Sequence, residues 1–261
     1  MHKKTSVVFR SGTHMLIFLL AAIAVVFYFD YPRIFHLAPQ GPHLWRQADG
    51  ASIALNYYQF DGSFWSPQVH NAQSGDYHAV SEFPLIYYLS SWAYRLFGVQ
   101  EGWLRSITLS FLLVGLLAFA KLIRGLLQDD FLSILLPLLI WSSPFLAFYA
   151  FNFLPNAPAL GMVFVGWYFV WRYYKQNHLR HWHLALLFFL LAALLKLTTL
   201  TNLLALLAVW CWQQRNDLLS QLRLQLKLLP GLLVLFTSLF SWLAFAKYYN
   251  ELHHSTLFLA T

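Results

Sequence analysis

The sequence is short of charge. Only 10% of its 261 residues are Asp, Glu, Lys or Arg, against roughly a quarter in soluble domains, while 59% are hydrophobic. That scarcity excludes an ordinary soluble globule and points to an integral membrane protein. Acids are scarcer than bases, 10 against 17, and the net charge is +7. The bases stand in ones to threes at the ends of apolar runs rather than in a continuous basic face, which argues for membrane topology and against nucleic acid as a partner. Cysteine is almost missing. Cys211 alone excludes an internal disulfide, so cysteine spacing points to neither a redox compartment nor a metal site, and its place in an apolar run predicts a buried thiol. There is no internal repeat, and no low-complexity tract beyond richness in leucine. No small-residue cleavage site follows the apolar run 15–29, which excludes a secretory signal and makes that run the first membrane helix.

What is present is a series of apolar segments near the length that crosses a bilayer, about 20 residues. They are 14–29, 105–127, 131–149, 157–171, 183–195, 200–212 and 226–247, seven in all. A further run, 84–97, has Pro at its first turn, Gly98 after its end, and Leu85, Leu89, Trp92 and Leu96 at helical spacing. At 1.5 Å per residue it reaches only about 21 Å of a core roughly 30 Å thick, so it is expected along the interface. The predicted fold is therefore all-α: a polytopic membrane module of about seven transmembrane helices, with amphipathic juxtamembrane helices in a long first loop, 30–104.

Charge placement orients this scheme. With the N-terminus cytoplasmic and 84–97 not crossing, Lys3, Lys4 and Arg10, then Lys121 and Arg124, Arg172, Lys175 and Arg180, and Arg215, Arg223 and Lys227 fall inside. Arg33, Arg46, Arg95, Arg105, Lys196 and Lys247 fall outside, a split of 11 to 6 in the favoured sense. Letting 84–97 cross reverses the bias. Seven acids (Asp30, Asp49, Asp61, Asp76, Glu82, Glu101 and Glu251) then lie outside, against Asp129, Asp130 and Asp217 inside. The chemistry is expected on the noncytoplasmic face of a cell membrane, plasma or inner.

Within the long loop, HLWRQADGASIALNYY stands out. On a helix starting after Pro42, Leu44, Ala48, Ala51, Leu55 and Tyr58 form an apolar stripe, and Arg46, Asp49, Ser52 and Asn56 form a polar face. Such a helix is expected to lie on the membrane surface. Arg46 and Asp49 are neighbours on it, which suits either a solvated ion pair or a site. Two further signals lie downstream. Glu82, just before Phe83 and Pro84, can cap a helix or serve chemistry. Pro155 and Asn156 open the fourth span, where Asn156 can act as a cap.

These segments together resemble a known family: the polyprenol-phosphate-sugar-dependent glycosyltransferases of the GT-C superfamily, in the branch with the protein O-mannosyltransferases and the lipid A aminoarabinose transferase. The matching pieces are Trp45 to Asp49, Glu82 to Leu89, Arg105, and Pro155 with Asn156, and the similarity runs to about Leu200. Relatives commonly carry an acid where this chain has Asn156, and they have further spans and often an external domain. The resemblance therefore implies that the C-terminal part of the usual architecture is absent here.

The resemblance implies a sugar donor on an isoprenoid phosphate and an acceptor hydroxyl on a glycolipid, glycan or protein. It implies Asp49 as catalytic base and inversion at the anomeric carbon. Glu82 would orient the acceptor or bind a divalent cation. Arg46, Gln47, Arg105, Asn156 and Lys196 would bind substrate, the cations among them stabilising the departing phosphate. A charge inside a span costs about 2.5 to 3.5 kcal/mol on insertion scales, so Lys196 either serves that purpose or snorkels to the surface. His70, Asp76, His78, His253 and His254 offer metal ligands, although their spacing matches no closed motif, and exposed loop histidines are the simpler reading. His178, His181 and His183 read as a polar cytoplasmic turn. Two other classes remain open: a transporter, which would place ionisable groups at midspan rather than at span ends, and a noncatalytic or truncated membrane protein of the same fold.

Overall fold

The computed structural model describes residues 11–71, 74, 76–214 and 222–257. Lys3, Lys4, Arg10, Arg215 and Asp217, used above to orient the chain, lie outside the described residues, as does the side chain of Arg223. Every extended element among the described residues is helical. The order is α1 (Ser11–Tyr28), α2 (Tyr31–Ile34), α3 (Leu44–Gln59), α4 (Leu85–Phe97), α5 (Glu101–Leu127), α6 (Asp130–Trp141), α7 (Pro144–Ala150), α8 (Asn156–Gln176), α9 (Leu179–Leu195), α10 (Leu200–Gln214) and α11 (Leu222–Leu252), with a 3-10 turn at Leu197–Thr199.

Two of these helices, Glu101–Leu127 and Lys227–Leu252, are long and apolar enough to cross a bilayer, or three if the bent pair α6–α7 counts as one crossing. They mark a membrane protein. Gly12–Tyr28, Leu179–Leu195 and Leu197–Trp212 are apolar but shorter, so a count of seven requires these helices and α8 to cross as well. The run 131–149, expected as one straight span, bends by 79° between α6 and α7. Ser143 and Pro144 explain the break. Pro144 has no N–H to continue the helix, and the Ser143 hydroxyl accepts from the Leu146 amide at 3.3 Å, which starts a new helix there.

The centre of the fold is α8, packed between α5 and α9. Gly115 of α5 and Gly161 of α8 meet so closely that a Cβ on Gly115 would lie 2.3 Å from the Gly161 Cα. Backbone-to-backbone approach of this kind suits helices that lack a hydrophobic drive to associate in lipid. Trp182 and Phe189 of α9 are wholly buried against this layer. Cys211, expected to be buried, is instead exposed, as are Leu204, Val209 and Trp212 of α10.

The long first loop is built as expected at two points. Pro84 precedes α4 and Gly98 ends it at φ +83°, a left-handed conformation that favours glycine. At the other, α3 starts at Leu44, directly after the proline turn. Its polar residues do not face open solvent. Asp49, Ser52 and Asn56 face inward and are buried, Arg46 is half-buried, and Leu44, Ala48 and Tyr58 are exposed. The outward stripe is not a plain exposed face: Ala48, Ala51 and Leu55 line a cavity beside Asp49, while Ile53, Ala54 and Tyr57 of the same helix are buried in the core.

Candidate functional site

Glu82 organises the site. It precedes α4 and is held in place by the bond from the Phe83 amide to the Leu194 carbonyl at 3.0 Å. Its carboxylate accepts from Arg46 Nη2 at 2.6 Å on Oε1 and 2.5 Å on Oε2, and from the Ser81 hydroxyl at 2.7 Å. Arg46 also donates to Ser81 Oγ at 3.0 Å. Lys196 Nζ comes from the far end of α9 to within 3.8 Å of Oε1. Burial pushes the Glu82 carboxyl up, but Arg46, Ser81 and Lys196 together outweigh it and hold the group below its ordinary range. Two cations thus converge on one carboxylate, and both keep about a third of their side-chain surface open, 33% for Arg46 and 38% for Lys196.

Asp49 lies three residues beyond Arg46 on α3 and has the opposite character. Burial dominates and raises its carboxyl above the ordinary value, with a long bond from Asn71 Nδ2 at 3.4 Å and the charge of Arg46 opposing only in part. Asp49 is in the wall of two cavities. One, of about 430 Å³, is lined also by Trp45, Leu55, His70, Asn71, Tyr94 and Glu101. The other, of about 10 Å³, has room for a single water and leads to Arg46, Ser81, Glu82 and Tyr87. Asp49 therefore separates a roomy apolar chamber from the cationic cluster. Gly50 is required beside it, because a Cβ there would come within 2.9 Å of the Phe153 carbonyl and 2.8 Å of the Tyr87 ring. Tyr87 is buried, and that burial with the nearby Glu82 charge raises its hydroxyl, which keeps the proton.

The other expected substrate ligands stand elsewhere. Gln47 is buried and donates from Nε2 to the Gln40 and Pro42 carbonyls at 2.9 and 2.8 Å, fastening the turn that starts α3. Arg105, 4% exposed, donates to the carbonyls of Phe151 at 2.9 Å, Leu37 at 2.9 Å and Ala38 at 3.3 Å, and lies 4.4 Å above the Phe153 ring. None of these bonds reaches Asp49 or Glu82. Asn156 is the first residue of α8 and is not its cap; in the same turn it is Asn152 whose Oδ1 accepts from the Leu154 amide at 2.9 Å.

The loop 66–80 is sewn to the end of α11. Asn250 bonds both backbone groups of Val80, at 2.9 and 2.8 Å, and Tyr249 donates to the Pro67 carbonyl at 3.1 Å. This brings together Asp76, His78 and His253, whose ligand atoms lie within 4.8 Å of one another. His253 Nδ1 is 2.5 Å from Asp76 Oδ2, His78 Nδ1 is 3.2 Å from Oδ1, and the two rings stack at 4.4 Å. One carboxylate with two imidazoles is a donor set that suits zinc-like cations; the Gln68 amide nitrogen, a donor, lies 3.0 Å from His78 Nε2. His254 is exposed and outside this group, and His70 lines the large cavity.

Sequence reasoning missed Tyr87, Ser81 and Asn71. Tyr87 was accessible in principle, since side chains of a first helical turn lean back toward the N-terminus and hence toward Glu82. Asn71 comes from irregular backbone, where no periodicity points to a partner. Comparison with protein-family models, with curated proteins and with solved structures finds no match.

The Glu82 cluster has a measurable consequence. Its lowered carboxyl contributes stability that is present above the ordinary carboxylate range and is lost as pH falls through the lowered folded value. Glu82→Gln is expected to cost about 2 kcal/mol at neutral pH, the scale of charge-assisted hydrogen bonds, with the gap to the parent closing on acidification. Thermal unfolding of the detergent-solubilised protein as a function of pH checks this; equal melting at neutral pH contradicts it.

Proposed function

We propose that this protein is a membrane glycosyltransferase that moves a sugar from a polyprenyl-phosphate donor to an acceptor hydroxyl. The reading has seven crossing segments, a cytoplasmic N-terminus, and Asp49 on the noncytoplasmic face. The observation that carries it is the position of Asp49: a carboxylate with raised proton affinity, in the wall of a 430 Å³ chamber and one water-sized gap from Arg46 and Glu82, on which Lys196 also converges. The resemblance of Trp45–Asp49 and Glu82–Leu89 to the GT-C transferases supplies the reaction class.

In this reading the acceptor enters the large cavity, where Trp45 and Tyr94 offer aromatic faces and Asp49 takes the hydroxyl proton. The acceptor oxygen bonds to the anomeric carbon with inversion, and the bond from that carbon to the phosphate oxygen breaks with its electron pair on the phosphate. Arg46 and Lys196 outnumber Glu82 in charge, so the cluster receives the developing negative charge. Glu82 acts as a positioning residue, holding both cations ready. Arg105 and Gln47 fix the backbone on which the site rests. A divalent cation, where one is used, would be held by Asp76, His78 and His253 and would brace the loop against α11.

Two measurements test this. Asp49→Asn is expected to reduce release of isoprenoid phosphate from a polyprenyl-phosphate sugar about 100-fold or more, the usual scale of a lost general base, with expression and melting unchanged; undiminished release removes Asp49 as the base. Purified protein is expected to bind zinc at about one ion per chain, and His253→Ala to abolish that binding. Binding that survives the substitution would show that the three residues do not form the ligand set.

A further inference from the structure

At the other end of α8 the chain makes a tight turn into α9. Asn177 closes α8 in the left-handed conformation, φ +50°, its amide reaching the Tyr173 carbonyl at 2.8 Å, and extended His178 opens α9. From Arg172 to His183 the sequence holds Arg172, Lys175, Arg180 and three histidines, and no carboxylate. The turn encloses a cavity of about 510 Å³ lined by Arg172, Gln176, Asn177, His178, Arg180 and His181.

Three kinds of donor converge there without an anion. Arg172 gives Nη1 to the Tyr168 hydroxyl at 3.0 Å and Nη2 to Gln176 Oε1 at 3.1 Å, both neutral acceptors, and its buried Nε has no partner among the described residues. His181 is 4% exposed, and its Nδ1 is likewise buried and unpartnered. No side chain caps α9; the His181 amide turns back to the His178 carbonyl at 2.9 Å, which leaves the amides of Leu179 and Arg180 at the positive end of a 17-residue helix. Bases that merely snorkel to water would leave neither a buried imidazole nor a buried guanidinium nitrogen unsatisfied. A compact anion with several acceptor oxygens satisfies all three at once.

We propose that the α8–α9 turn is a phosphate-binding site, engaging a phosphate ester through Arg172, His181 and the N-terminus of α9. It is separate from the Asp49 site: the 21 residues of α8 put about 30 Å of helix between them. The phosphate can belong to a phospholipid head group, reached because α8 and α9 expose Tyr174 and Leu187 beside the turn, or to a soluble ester.

The full chain in neutral detergent tests this with two probes, short-chain phosphatidylglycerol and inorganic phosphate, followed by native mass spectrometry and by melting temperature. Saturable binding of either probe is expected, with phosphatidylglycerol alone identifying a lipid source and inorganic phosphate alone a soluble one. Arg172→Ala and His181→Ala are each expected to weaken binding about tenfold, the equivalent of one charge-assisted hydrogen bond, while Lys175→Ala, outside the cavity, leaves it unchanged. Should either alanine variant fail to fold, Arg172→Gln and His181→Gln replace them. No saturable binding of either probe, or equal weakening by Lys175→Ala, overturns the proposal.

Discussion

The Glu82 carboxylate is the contact on which the rest of the site depends. It joins three parts of the chain that sequence keeps far apart: Arg46 on α3, the Ser81–Phe83 turn, and Lys196 at the end of α9. A carboxylate that is 14% exposed has to be paired, and the pairing fixes where α3 lies. It also decides the character of Asp49. Arg46 spends its near contacts on Glu82, so burial outweighs its pull on Asp49 and the two acids diverge, one held low and one raised. Divergent carboxylates in one site separate an electrostatic role from a proton-accepting one.

Polar groups of α3 turn inward, Arg46 onto Glu82 and Gln47 onto the Gln40 and Pro42 carbonyls, and buried Arg105 is ligated by three backbone carbonyls. Close backbone packing at Gly115 and Gly161 holds α8 rigidly against α5, so α8 carries two polar turns at opposite ends, one near Asp49 and one at Arg172–His181.

Periodicity and turn chemistry made much of the fold legible. The start of α3 after Pro42, the α4 helix between Pro84 and Gly98, and the end of α5 at Leu127 follow from local signals, whereas α5 starts at Glu101, four residues before the expected 105. The bend at Ser143–Pro144 also had its signal, but an unbroken apolar run masked it. The exposure of Cys211 was not legible, because apolar residues on a membrane helix face lipid as readily as protein. Within the site, Arg46, Asp49, Glu82 and Lys196 were each readable as unusual charges in a charge-poor chain. Their meeting was not: Lys196 is over a hundred residues from Glu82, and no pattern in one sequence encodes that contact. The same holds for Asp76 and His253, which are joined through the pairing of Asn250 with Val80.

The account turns on one carboxyl group that accepts a proton at a higher pH than an ordinary aspartate. The most direct test is the pH dependence of isoprenoid phosphate release by the intact protein, measured at limiting donor so that it reports the free enzyme. The account predicts an acid limb that lies above the ordinary aspartate range and moves higher still in Arg46→Gln, as the Arg46 charge that opposes protonation is removed. An acid limb at or below the ordinary range, or one indifferent to Arg46, would contradict it.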